Sequence, residues 1–323
     1  MFQSVVRHRP VSIVDFGNWD APSPPNDAPG TAAFLSGAGY AGATLPTAAH
    51  HALVDLADGL HNGLPGVGAV VLRGLPVGTV PPTPDRPTAP VAKDHVSELT
   101  LLTAARILGQ PVGYLPEHGG DIVQNICPAA ADATRQTSTS SRVTLAFHTE
   151  TAFHPHRPRF LLLLCLRGDD AAHTTLCSID DILPALSAET RTILGEPRFH
   201  TRADESFGGG SHSSFLDPMR VLSGDPDHPT LVFDEELTAG IDDPARAALA
   251  ELAAAISAHH TSVVLQQGDL LAVDNHRCVH GRSPFVARFD GTDRWLQRAF
   301  VVSDLAPSAG ERVGRIITTT FTA

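Results

Sequence analysis

Residues 146–154 read AFHTETAFH, in which His148 and Glu150 are separated by a single residue. Successive side chains of a β-strand point to opposite faces, so on a strand these two would project to the same side. An imidazole nitrogen and a carboxylate oxygen presented together can take two adjacent positions on a metal ion, and a third ligand must come from elsewhere. His280, in DNHRCVHGRSPF (274–285), is the best candidate. It follows the apolar run DLLAVDN (269–275) and precedes a glycine, which places it where a strand meets a turn with little crowding. Two histidines and one carboxylate on one face leave three positions open on Fe(II), as a cosubstrate and dioxygen require. With 17 histidines in the chain, other patterns compete. His154 and His156 would share a strand face, but Pro155 and Pro158 disfavour a regular strand and make them loop residues. The adjacent His259 and His260 read as helix-face or surface histidines.

Outward from this stretch, short apolar runs dominate the second half of the chain. DIVQNI (121–126), FLLLLCL (160–166), TLVF (230–233), SVVLQ (262–266), DLLAVDN and RAFVVSD (298–304) are separated by Gly, Asp and Pro turns. Many short strands bounded in this way predict a sandwich or barrel. Three segments carry helical spacing: HHALVDLADGLHNG (50–63), HVSELTLLTAARILG (95–109) and DDPARAALAELAAAISAHH (242–260), the last with Asp243 before Pro244 at its start. GAVVLRGLPV (68–77) is a further strand. Pro and Gly cluster between Pro22 and Gly42, an irregular arm, and between Pro76 and Pro90, a surface loop. Strands precede and follow every helix and no fixed-period repeat is present. The expectation is therefore one mainly β domain with helical insertions over 1–323.

Composition limits the partners. The chain of 323 residues is 42% hydrophobic and 18% charged, an ordinary globular balance. Its formal charge of −12, without any Lys/Arg block, argues against nucleic acid or an anionic membrane and favours a small polar or cationic ligand. The opening MFQSVVRHRPVSIVDFG lacks an apolar stretch with a cleavage site, and a cytoplasmic location is expected. Cys127, Cys165, Cys177 and Cys278 lie far apart and read as buried free thiols.

A second chemical signal is RWLQR (294–298), whose arginines would share one strand face. A planar guanidinium grips a carboxylate bidentately, so one buried arginine could capture a dicarboxylate whose other end chelates iron. The competing reading is ordinary surface ion pairs with Asp290 or Asp293.

With His148, Glu150, His280, Arg294 and Arg298 in this pattern, the chain resembles the clavaminate synthase-like branch of the Fe(II)/2-oxoglutarate oxygenases. It is especially similar to free-amino-acid hydroxylases such as the viomycin-pathway arginine β-hydroxylase and the asparagine hydroxylases. The resemblance is clearest in STSSRVTLAFHTETAFHPHRPRF (138–160), AAHTTL (171–176) and GDLLAVDNHRCVHGRSPFVARFDGTDRWLQR (268–298). Before them it rests loosely on LRGLPV and GQPVGY. It implies a cupin-like double-stranded β-helix, or jelly roll, over 121–305, with a lid insertion near 202–245. Residues 46–120 would support this core and 1–45 would form the irregular arm.

The resemblance also implies roles. His148, Glu150 and His280 would hold Fe(II). Arg294 would bind the distal carboxylate of 2-oxoglutarate, supported by Thr175, with O2 as the other cosubstrate. Arg298 would hold the α-carboxylate of an amino-acid substrate, Ser138 would contact it, and Glu117 in LPEHGGD would receive the α-ammonium group. A displacement of a few residues would transfer these last assignments to Gln124 or Ser140. Asp234 and Glu236 in FDEEL match the acidic stretch of the closing loop and would pair with a cationic side chain, favouring arginine, lysine or a derivative. Asp204 and Glu205, before FGGGSHSS (207–214), are further candidates. The implied reaction is hydroxylation at Cβ or Cγ in specialised metabolism, including antibiotic biosynthesis. The presence of Glu150 argues against the related halogenases. Asparagine, glutamine or a carrier-bound amino acid, desaturation or cyclisation, and a non-catalytic amino-acid- or metal-binding barrel remain open. A zinc hydrolase would lack a general base.

Overall fold

The computed structural model describes residues 12–15, 45–61, 64–65, 68–208 and 215–321. Most of the expected arm, 1–45, lies outside them, as does the run Gly209–Ser214.

The strand Phe160–Arg167 explains the architecture. Its sequence is apolar at every position to Leu166 because both faces are covered. Phe160, Leu162, Leu164 and Leu166 face one core; Leu161, Leu163 and Cys165 face another. It pairs antiparallel with Leu270–Asp274 on one side and Trp295–Val302 on the other. These strands are central to a nine-stranded sheet, which continues through Ala69–Arg73 to Ser12–Asp15 at one edge and through Gln110–Tyr114 and Ile316–Ile317 to Arg312–Val313 at the other. Gln124–Ile126 also pairs with Trp295–Val302. A second, four-stranded sheet is ordered Thr261–Val264, His173–Ser178, Cys278–Arg282, Leu145–His148.

The two sheets stack with the core of Val71, Leu161, Leu163, Leu176, Leu271 and Phe300 between them. The expected helices cover the outside. Thr47–Ala57 and Val96–Leu108 bury Leu53, Leu56, Leu101 and Ala105 behind the large sheet. Asp243–His259 buries Ala248, Leu252 and Ile256 behind the small one, together with Ala188–Leu194. Asp242, rather than Asp243, caps the long helix, its carboxylate accepting from Ala245 N at 2.9 Å. The helix Ala188–Leu194 has no counterpart in the sequence reading; its signal is the N-cap Ser187, which accepts from Thr190 N. TLVF is half strand: His228–Leu231 forms a hairpin with Leu222–Asp225, and Val232 and Phe233 leave it.

Two sheets packed face to face with helices outside form the expected jelly-roll core, and all four cysteines are buried free thiols. No helix among the described residues is long and apolar enough to cross a membrane.

Candidate active site

Between the two sheets opens a cavity of about 850 Å³, lined from both. On the small sheet, His148 and His280 are cross-strand partners, with ring centroids 4.3 Å apart. Glu150 lies beside them: its Oε2 is 3.4 Å from His280 Nε2 and 4.0 Å from His148 Nε2. One donor atom from each residue falls within 4.8 Å of the others, and no other such group of three exists among the described residues.

The local geometry differs from the sequence expectation in two ways. The strand ends at His148, so strand alternation does not aim Glu150. Asn275 does this instead, from the end of the Leu270–Asp274 strand. Its Oδ1 accepts from Glu150 N at 2.6 Å, while its Nδ2 donates to Glu150 O at 3.1 Å and Pro158 O at 2.9 Å. His280, in turn, is the central residue of the strand Cys278–Arg282 and not a strand-to-turn junction. Gly281 is required there by close approach, since a Cβ would come 2.6 Å from Leu145 O across the strand pair.

These residues fit a divalent ion. His148 Nδ1 lies 2.9 Å from Ala146 O, a bond that fixes the tautomer with Nε2 free to ligate. Burial, then His148, pushes the His280 imidazole down to about 4, so it is neutral and available. Burial opposes ionisation of Glu150, but the Arg298 guanidinium and the two histidines overcome it and hold the carboxyl below its usual range. Ligand atoms about 2 Å from a single ion stand roughly 3 Å apart, so the 3.4 and 4.0 Å separations from Glu150 Oε2 would close by about 1 Å or less around an ion.

On the large sheet, Arg294 and Arg298 both line the cavity and both are buried. Neither pairs with Asp290 or Asp293. Asp293 accepts instead from Arg288 N and Phe289 N, and Asp290 from Thr292. Arg294 donates to Thr174 Oγ1 at 3.1 Å and forms no ion pair among the described residues. Thr174, not Thr175, faces the cavity, which corrects the sequence assignment. Strand alternation puts Thr174 and Leu176 inside, while Thr175 lies on the outer face with Cys177. Arg282, which the sequence reading passed over, lines the same end. It is anchored by Ser140 O, by Ser140 Oγ at 3.0 Å and by Val143 O at 3.0 Å, and burial lowers its pKa to about 10.

Arg298 is ringed by acceptors: Glu117, Glu150 Oε1 at 3.0 Å, and Gln124 Oε1 at 2.9 Å from its Nε. Burial holds the Glu117 carboxyl above its ordinary range despite Arg298, and its Oε2 has no hydrogen-bond partner. Of the alternatives for Ser138 and Glu117, both primary residues line the cavity. Ser140 is engaged with Arg282 and Gln124 with Arg298.

The outer wall is acidic. Asp132, Asp204, Glu205, Asp234 and Glu236 line it, against Arg135 and Arg202. Thr149 N donates to Phe233 O at 2.7 Å and Glu235 N to Phe147 O at 3.0 Å, which docks the FDEEL segment along the edge of the small sheet and brings Asp234 opposite His148. Asp234 Oδ1 accepts from Glu236 N and Leu237 N, and burial raises its carboxyl pKa. Glu236 is exposed at the rim.

Residues 28–300 match the taurine catabolism dioxygenase TauD, TfdA family. The chain is 37% identical to an L-lysine 3-hydroxylase of Catenulispora acidiphila over 295 residues, covering 89% of this chain and 81% of that one. It is 40% identical to an L-asparagine oxygenase of Streptomyces coelicolor over 250 residues, covering 76% and 74%. Its fold superposes on a crystal structure of asparagine oxygenase in complex with Fe(II), 2S,3S-3-hydroxyasparagine and succinate with a TM-score of 0.79. That match has 37% identity and covers 85% of this chain and 86% of the other. Fold, donor set and sequence agree, and the chain belongs to the taurine catabolism dioxygenase TauD, TfdA family as a non-haem iron, 2-oxoglutarate-dependent oxygenase.

Proposed function

We propose that this enzyme hydroxylates an unactivated Cβ or Cγ of a free L-amino acid, and that the amino acid is basic: arginine, lysine or a derivative. The observation that carries the reading is the division of the cavity into three chemically distinct zones. A His-Glu-His donor set lies at the small sheet's end of the cavity, a buried arginine without a carboxylate lines the same cavity, and an acidic rim faces them.

His148 Nε2, His280 Nε2 and one Glu150 oxygen would hold Fe(II). Bound iron would supply dioxygen activation, with 2-oxoglutarate, O2 and a C–H bond converted to succinate, carbon dioxide and an alcohol. Arg294, steadied by Thr174, is suited to the distal carboxylate of 2-oxoglutarate, because its charge is buried and unmatched. Arg298 would take the substrate α-carboxylate, exchanging a protein carboxylate partner for the substrate's. Glu117, with one oxygen unpartnered, would receive the α-ammonium group, and Ser138 would contact the substrate beside it. Two anchors at Cα would orient Cβ and Cγ toward the metal, the positioning on which such catalysis depends. Asp234 and Glu236 would face the far end of the side chain, where opposite charge offsets the cost of desolvating a cation. A volume of about 850 Å³ admits the cosubstrate and an amino acid together. Similarity to an L-lysine 3-hydroxylase and an L-asparagine oxygenase supports the amino-acid class, and the acidic wall favours a basic side chain.

The test is succinate formation by purified protein with Fe(II), 2-oxoglutarate, ascorbate and each amino acid in turn, with mass spectrometry of products. A gain of one oxygen on arginine or lysine is expected. A gain on asparagine or another neutral residue would keep the oxygenase and discard the roles of Asp234 and Glu236. Uncoupled succinate with no stimulating amino acid would point to a carrier-bound substrate, and no succinate from iron-loaded protein would overturn the reading.

A further inference from the structure

The C-terminal segment joins the large sheet and packs Phe321 against residues of the cavity wall. Ile316 and Ile317 pair in parallel with Gly113 and Tyr114. Glu311 then ties the next residues to the turn that follows the metal-binding stretch. Its backbone carbonyl accepts from Thr318 N at 2.8 Å, its Oε2 from Thr319 Oγ1 at 2.5 Å, and its Oε1 lies 3.2 Å from His156 Nε2. Phe321 completes the path. Its ring meets Phe153 edge-on at 5.2 Å and 90°, His154 at 5.3 Å and 78°, and Phe207 at 6.3 Å. Its amide donates to Phe207 O at 3.4 Å.

Phe153 and Phe207 are themselves cavity-lining residues, in contact with one another at 5.0 Å. Phe207 closes the short turn Glu205–Phe207, which Asp204 caps. Asp204, Glu205 and Phe207 therefore form one compact piece of the outer wall. Phe207 packs on Tyr114 and His154, each with ring centroids 5.7 Å away, and on Phe321. Phe321 does not line the cavity.

We infer that Phe321 is a positioning residue: the C-terminal strap holds the Asp204–Gly208 turn against the aromatic pile and so fixes the outer wall of the substrate site. The inference rests on the proposed amino-acid site for its kinetic consequence but not for its structural one. Edge-to-face aromatic pairs each contribute a fraction of the energy that separates a fixed wall from a loose one, and Phe321 makes three ring contacts. Without them, the turn keeps its contacts with Tyr114 and His154 but samples more positions, which weakens side-chain capture and leaves the metal centre untouched.

The experiment compares the full chain with Phe321→Ala and Phe321→Leu. In Phe321→Ala, KM for the amino acid should rise about five- to tenfold, kcat at saturation should stay within about twofold, and a smaller share of succinate should be matched by hydroxylated product. Phe321→Leu should recover much of the loss, because it restores apolar bulk under Phe153 and Phe207. Trypsin should cleave after Arg202 faster in Phe321→Ala than in the unaltered chain, a readout that needs no substrate. Unchanged KM, coupling and cleavage would overturn the inference, as would a fall in kcat with KM unmoved. If the unaltered chain hydroxylates no amino acid, the proposed function fails, while the trypsin comparison still decides the role of the strap.

Discussion

Replacing Arg294 by methionine should cripple 2-oxoglutarate binding without destabilising the protein. Arg294 is 6% exposed, it donates to Thr174 Oγ1, and no carboxylate among the described residues pairs with it. Burial pushes its guanidinium below the usual arginine range. Its charge is thus a cost in the unliganded protein and becomes matched only when an anion arrives. Truncating one partner of a buried ion pair costs about 3–5 kcal/mol, because the other charge stays buried and unmatched. At about 1.4 kcal/mol per tenfold, 2-oxoglutarate should bind roughly two to three and a half orders of magnitude more weakly. Anaerobic calorimetric titration of Mn(II)-loaded protein measures this directly, with a thermal melt of the unliganded variant alongside. Tm should stay level or rise, since methionine retains the apolar stem and removes the buried cation. Affinity within threefold of the unaltered protein would refute the assignment. A weakened affinity together with a collapsed Tm would make Arg294 a structural residue instead.

Thr174→Val should weaken 2-oxoglutarate binding about tenfold by removing a hydrogen bond to a charged group, whereas Thr175→Val should bind it normally; the same titration separates the two. Asn275→Ala removes all three bonds that fix the Glu150 and Pro158 backbone, and metal affinity should fall about 10- to 100-fold in a competition assay with a chromogenic chelator. Unchanged affinity would mean that something else aims Glu150. Asp274 supplies a pH prediction. Burial raises its pKa from 3.8 to about 6, against the pull of Arg159. Because the folded value is above the unfolded one, the protonated carboxyl is favoured on folding, and this contribution is lost as pH rises from about 4 through 6. Asp274→Asn should therefore stabilise the protein by up to about 3 kcal/mol at pH 8 and little at pH 4, as read by urea midpoints at both pH values. A larger gain at pH 4 would reverse the sign and discard the argument.

The sequence by itself determined the composition of the site and the class of the fold. FLLLLCL read as a short strand from its length and the turns that bound it, and the three helical periods fell where helices form, because burial writes a 3.6-residue period directly into the chain. His148, Glu150, His280, Arg294 and Arg298 were legible because metal and carboxylate chemistry admits few residue types, and all five line one cavity. What only the tertiary structure decided was aim. Thr174 and Thr175 are chemically identical, and the phase of the strand against its neighbours selects one of them. Glu150 points at the histidines because Asn275, 125 residues away, grips its backbone. Arg282 carried no signal in the sequence and belongs to the site because the Ser140 segment folds against it, and Phe321 acquires its neighbours only because Ile316–Ile317 joins the large sheet. Residue type fixes which interactions are possible, and contacts between residues distant in sequence fix which of them are made.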